Sequence, residues 1–160
     1  MSDTRDQARS STPSPARNLE QRRAADALRA VQKLRADRTL PEDKQEKLLQ
    51  RYHGYVDRLG PAILMNGLGQ ALATELSAAG EVPDKREKMA PDRFAHLRLY
   101  ENLRDWLCGD GKIYPPGDLL EAIVKHGESK YLRAQLEALG WLEWHKKFCR
   151  AYLPADKQSD

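Results

Sequence analysis

A chain of 160 residues is long enough to bury one core of ordinary size. Apolar residues make up 40% and charged residues 32%, with 10 glycines and 9 prolines, a balance that excludes both a membrane protein and a disordered one. The formal net charge of +3 is too small to argue for nucleic-acid binding by itself, so the placement of charge has to decide. Cys108 and Cys149 lie far apart and make no disulfide framework, and the start MSDTRDQARSSTPSPAR lacks the apolar stretch of a signal peptide. A cytoplasmic protein is the reading.

Residues 1–17 carry Ser, Thr, Pro and scattered charge without periodicity and read as a mobile tail. A helical domain is expected over 18–155 and a short C-terminal tail over 156–160. Asn18 is placed to cap the first helix, whose Ala24, Ala27, Leu28, Val31 and Leu34 share one face. Pro41 opens the second in the first helical position, with acids in the first turn and an apolar face of Leu48, Leu49, Tyr52, Val56 and Leu59.

Gly60-Pro61 predicts a break, and the third helix is expected over 61–79. Between Arg58 and Lys85 the chain holds no Lys or Arg, and its acids are Glu75, Glu81 and Asp84 alone. The stretch is about as long as a membrane span, but Asn66, Gln70, Thr74, Glu75 and Ser77 are a heavy polar load for hydrocarbon. Apolar side chains on nearly every side predict a helix surrounded by others. Gly67 and Gly69, each costing about 1 kcal/mol against Ala, imply the close approach of a crossing helix.

A charged loop (80–91) leads into a fourth helix, DRFAHLRLYENLRDWLC, with Phe94, Leu97, Leu99, Leu103, Trp106 and Leu107 as its core face. GDGKIYPPG reads as a turn region, Asp118 as the cap of a short fifth helix, and Ser129–Leu153 as a long sixth. No convincing apolar–polar alternation occurs. The predicted fold is all-α: a single-domain bundle of about six helices around a central apolar helix, the 61–79 segment.

Few residues offer chemistry. Of His53, His96, His126 and His145, only His145 has a partner at ligand spacing, Cys149 one turn on. Two ligands do not make a zinc site, and Cys149 reads as core. GDGKIYPPG lacks the flanking strand and helix of a phosphate loop, and no nucleophile elbow or His-acid motif is legible. No catalytic residue, metal, cofactor or small-molecule substrate is expected.

Charge placement says more. Residues 1–38 hold nine Lys/Arg against five Asp/Glu. Arg22, Arg29 and Lys33 share a face of the first helix over roughly 16 Å, enough to meet several phosphates of one strand, although Asp26 interrupts the stripe. A solvated helix face is the competing reading. In the sixth helix, Tyr131, Leu132, Leu136 and Leu139 are expected to be buried. Trp141, Trp144, Phe148 and Tyr152 form a second apolar stripe, rotated from the first, with Lys146, Lys147 and Arg150 across from it. Two successive apolar faces predict two partners. Trp141 and Trp144 are assigned to the chain's own core, while Phe148 and Tyr152 are candidates for a subunit interface. Residues 118–140 also permit a DNA-reading helix-turn-helix, with Ser129, Lys130 and Arg133 early in its second helix.

EQRRAADALRAV, LGPAILMNGLGQALA, LYENLRDWLCG and YLRAQLEALGWLEWHKKFCRAYL together cover most of residues 18–153. In this order and spacing the chain resembles the small subunits of type III-B CRISPR RNA-silencing (Cmr) complexes. Asn66 to Ala73 and Glu143 to Phe148 carry most of the likeness. Met65 stands where such proteins often have a polar residue, and the tail 1–17 is longer than usual. The resemblance implies a non-catalytic helical subunit that stacks into a filament, with other subunits of the complex and further copies of itself as partners. It also implies a place along the channel where guide RNA pairs with target RNA. Arg22, Arg29, Lys33, Lys146, Lys147 and Arg150 are then the candidates to face RNA phosphates, with no dependence on base sequence.

Overall fold

The structure, a computed structural model, describes residues 17–110 and 113–156. The two expected tails, apart from Arg17 and Asp156, lie outside the described residues. Those described form six α-helices and no strand: α1 (Leu19–Ala36), α2 (Glu42–Asn66), α3 (Leu68–Ala79), α4 (Pro91–Asp105), α5 (Leu119–Lys125) and α6 (Glu128–Tyr152). A single 3₁₀ turn (Arg86–Lys88) precedes α4, and a π turn (Trp106–Asp110) follows it. The all-α, six-helix reading is therefore borne out.

Local chemistry starts the helices where the sequence places them. The Asn18 side chain accepts from the Gln21 amide at 2.8 Å, and the Gln21 side chain accepts from the Asn18 amide at 3.0 Å, a reciprocal cap. Asp118 caps α5 by accepting from the Glu121 amide at 3.1 Å and also accepts from the Tyr100 hydroxyl at 2.7 Å. The apolar faces of α1, α2 and α4 turn inward much as their periodicity predicts. Ala27, Val31 and Leu34, then Leu48, Tyr52, Val56 and Leu59, then Phe94, Leu97, Leu99 and Leu103 are all buried.

The central-helix expectation is corrected. Gly60-Pro61 does not break the chain: α2 continues through Pro61 to Asn66. Its buried stripe runs Leu48, Tyr52, Val56, Leu59, Ile63 at spacings of three and four, so packing of the next turn outweighs the one amide that proline lacks. The break falls at Gly67, where φ is +85°, a backbone conformation that favours glycine. Nor is the uncharged segment enclosed. Ile63, Leu68, Ala71, Leu72 and Ala79 are buried, whereas Leu64, Met65, Gln70, Ala73 and Thr74 face solvent. The middle of the bundle is α2, which packs against α3, α4 and α6, while α1 packs on α6.

The start of α3 is held from a distance. The first free amides, of Leu68 and Gly69, donate to the Gln135 side-chain oxygen at 3.0 Å and to the Tyr131 hydroxyl at 3.1 Å, both on α6. A Cβ on Gly67 would stand 2.9 Å from that hydroxyl, so the expected close approach of a crossing helix is real and belongs to α6. In α6 itself, Leu132 and Leu136 are exposed rather than buried, and Tyr131 and Leu139 are half-buried. The face turned inward is Ala134, Glu137, Ala138, Trp141, Leu142, His145 and Cys149. Two alanines let α6 approach its neighbours closely, and Glu137 draws that face toward partners it cannot find in water.

One buried relay joins four helices. The His145 Nδ1–H donates to the Ala27 carbonyl at 3.0 Å, which fixes the tautomer and leaves Nε2 as an acceptor. The Tyr52 hydroxyl donates to Nε2 at 2.6 Å, and the Asn102 amide donates to the Tyr52 oxygen at 2.8 Å. Trp141 stacks on the imidazole at 4.2 Å between centroids. His145 and Tyr52 are fully sealed.

Burial pushes the His145 pKa down from its ordinary 6.5 to about 4. The unfolded chain then binds the extra proton first, so this contribution to stability is present above pH 6.5 and drains away as pH falls toward 4. We expect urea unfolding to report about 2 to 3 kcal/mol less stability at pH 4.5 than at pH 7. A His145→Gln variant should be weaker at neutral pH and flatter across the same window.

Candidate functional site

Around the relay, three indoles are tied to three carboxylates. Trp106 donates to Glu137 at 3.1 Å, Trp141 to Asp26 at 2.8 Å and Trp144 to Glu20 at 2.9 Å. Arg23 of α1 closes the set with a two-pronged bond to Glu137, at 2.7 and 2.6 Å, and a further pair to Glu20. The bond from Trp144, then that from Arg23, holds the Glu20 carboxyl below its ordinary pKa. The Arg23 guanidinium lies over Gly140, where a Cβ would stand 3.0 Å from its central carbon. The assignment of Trp141 and Trp144 to the chain's own packing thus holds, Trp141 fully buried and Trp144 half-buried. Glu137 was not anticipated from sequence. Its only signal was an acid set among the alanines and leucines of an apolar stretch.

Four of the six predicted basic residues border two separate grooves, and Arg22 and Lys147 border neither. Arg29 and Lys33 are exposed and border a hollow between α1 and α4, facing Asn102 and Asp105. Arg29 pairs with Asp26 at 3.4 Å, so the acid that interrupts the stripe does temper it. Arg22, exposed and with neighbours of its own, is not on this hollow. Lys146 and Arg150 border a second hollow, between α2 and α6, floored by Val56, Leu139 and Leu142. Lys146 bonds Glu143 at 3.2 Å and Arg150 approaches Asp57 at 3.6 Å, while Lys147 is exposed. The six residues therefore do not form one continuous track.

Of the two candidate interface residues, Phe148 is half-buried and stacks on Trp144 at 5.9 Å. Tyr152 is exposed, with the Arg35 guanidinium 5.6 Å from its ring centroid. A larger apolar surface lies elsewhere. Leu64 (72% exposed), Met65 (83%), Leu132 (51%) and Leu136 (69%) stand out from the α2–α3 junction and the flank of α6 beside it. Gln135 and Tyr131, bonded to that junction, keep the two strips side by side, and Leu64 shares the α2/α6 hollow with Leu139. On α5, Val124 is 86% exposed. The signal was legible in the spacing of Leu132, Leu136 and Leu139, but its direction was not.

His145 and Cys149 are committed to the interior, whereas Cys108 and His126 border a hollow beside the π turn and α5. Cys149 is buried in apolar surroundings and Cys108 nearly so, and burial pushes both thiols up, away from the reactive thiolate. Among the described residues no three of His, Cys, Asp or Glu gather closely enough to hold a metal ion. No helix of the described residues is long and apolar enough to cross a membrane. α6 runs unbroken through Trp141 to Tyr152, so no wing follows the α5–α6 turn.

We expect Glu137→Ala to cost about 2 kcal/mol in thermal or urea unfolding, since it strands the sealed Trp106 donor and leaves the half-buried Arg23 with Glu20 alone. Hydrogen exchange should rise first in α1, which loses one of its several bonds to α6.

A family model described as CRISPR-associated protein (Cas_Cmr5) matches residues 19–152, from the first residue of α1 to the last of α6.

Proposed function

The chain belongs to the Cmr5 family of type III-B CRISPR-associated proteins, and from that premise we propose that it serves its effector complex as a non-catalytic structural subunit. It stacks against other subunits of the Cmr complex and further copies of itself, and its basic faces line the channel that holds guide and target RNA. The observation that carries this reading is the exposed apolar surface of Leu64, Met65, Leu132 and Leu136. A folded chain that seals Trp106, Trp141 and Phe94 completely, yet leaves four large apolar side chains in water, has a surface suited to another macromolecule. Tyr152 offers a second contact at the far end of α6.

The commitment of His145 and Cys149 to the core supports the non-catalytic part. His145, the one histidine at ligand spacing to a cysteine, spends both ring nitrogens on the bundle. The modest net charge fits a subunit that shares an RNA backbone with its neighbours instead of gripping it alone. On this reading Arg22, Arg29 and Lys33, then Lys146, Lys147 and Arg150, meet phosphates, and specificity rests with the guide. The protein works in the cytoplasm, without cofactor or small-molecule substrate.

Two measurements test it. Leu136→Glu, on an exposed position, should leave unfolding within about 0.5 kcal/mol of the native chain while the protein drops out of the complex during co-purification. Full recovery with the complex would rule out this face as the contact. The Arg29→Glu/Lys33→Glu pair should fold and assemble, yet load target RNA about tenfold more weakly onto the assembled complex. Unchanged loading would remove both residues from the RNA face.

A further inference from the structure

We propose that the hollow between α1 and α4 holds one ribose-phosphate unit of an RNA strand, the phosphate between Arg29 and Lys33 and the ribose 2′-hydroxyl donating to Asn102. This rests on the RNA-lining reading above and adds to it a site and a means of telling RNA from DNA.

Arg29 and Lys33 stand one turn apart on α1, on the rim of the hollow, with Asn102 and Asp105 of α4 opposite. The two acids of the rim are each already offset. Asp26 accepts from Trp141 and pairs with Arg29, while Asp105 accepts from Arg104 at 3.1 and 2.9 Å. Lys33 has no ion pair among the described residues, so its ammonium remains available to an anion.

Asn102 is the distinguishing group. Its amide nitrogen is spent on Tyr52 at 2.8 Å, and the relay to His145 and Ala27 behind Tyr52 holds the carboxamide in place. Its carbonyl oxygen has no partner among the described residues and is not sealed from solvent. The hollow thus offers a fixed acceptor within a site whose rim suits an anion. A phosphate alone has no use for the acceptor, whereas the neighbouring 2′-hydroxyl of an RNA strand is a donor.

The test uses the full chain at low salt and one labelled single-stranded sequence made as RNA, as DNA and as 2′-O-methyl RNA, read by fluorescence anisotropy. RNA should bind at least about fivefold more tightly than DNA, and the methylated strand, which lacks the donor, should bind like DNA. Asn102→Ala should bring RNA down to the DNA level and leave DNA unmoved. Lys33→Ala should weaken all three strands alike, about threefold, and flatten the salt dependence by about 0.7 in slope. Should Asn102→Ala fail to fold, the methylated strand on the native chain still decides. Equal affinity for the three strands, with Lys33→Ala weakening each, overturns the ribose contact and leaves the RNA-lining reading standing. Equal affinity with Lys33→Ala silent overturns the site altogether. No binding of any strand overturns the site, while the RNA-lining reading still stands or falls on target loading by the assembled complex.

Discussion

The bundle depends on a hydrogen-bond relay whose centre, Tyr52 and His145, no water reaches. Ala27 of α1, Tyr52 of α2, Asn102 of α4 and His145 of α6 are linked in one direction, each hydrogen having a single acceptor. Such a chain fixes more than its energy implies. Each bond contributes on the order of 1 kcal/mol net, but a missing partner costs the desolvation of a polar group in a sealed core. Apolar helices alone can slide by a turn and still bury similar area. A relay with one tautomer and one donor order cannot, and this sets the register of four helices at once.

A second layer of polar bonds surrounds the first. Three indole N–H groups find three carboxylates, and the Arg23 guanidinium bridges two of these acids across α1 and α6. Tryptophan brings large apolar area together with one donor that must be satisfied. Placing the acids on α1 and the π turn's indole against α6 satisfies all three without burying an unpaired charge. Each acid so used has its indole as a fixed partner, and Lys33 and Lys147 stand as cations clear of this network. The outward flank of α6 carries leucines instead. The same helix therefore divides its duties by face, with polar fastening inside and apolar surface outside.

Much of this was legible in the sequence, for physical reasons that are specific to each element. The Asn18 and Asp118 caps are local signals, written within three residues of the helix start, and both hold. The core faces of α1, α2 and α4 follow from spacing alone. Gly-Pro at 60–61 misled because breaker chemistry is a local cost, whereas Ile63 is held by tertiary burial that no local pattern reports. The flank of α6 misled for the complementary reason. Leucine is the more apolar residue, but Ala134 and Ala138 permit a closer approach, and Glu137 has its partners on α1 and the π turn. The basic residues were found, but not their division between two grooves, since residues on different helices carry no shared period. Asn102 carried no sequence signal at all.

The dependence of α3 on Gln135 and Tyr131 has a consequence for biosynthesis. The amides that begin α3 find their acceptors some sixty residues later, on α6, which leaves the ribosome after the other five helices described. Arg23 and Tyr52 wait for the same helix to supply Glu137 and His145. Domains that fold from the N-terminus during translation can close early contacts as they emerge. Here a nascent chain halted before residue 128 has none of the four acceptors and keeps its interior unsealed. The flank of Leu132 and Leu136 is likewise made only once α6 has emerged.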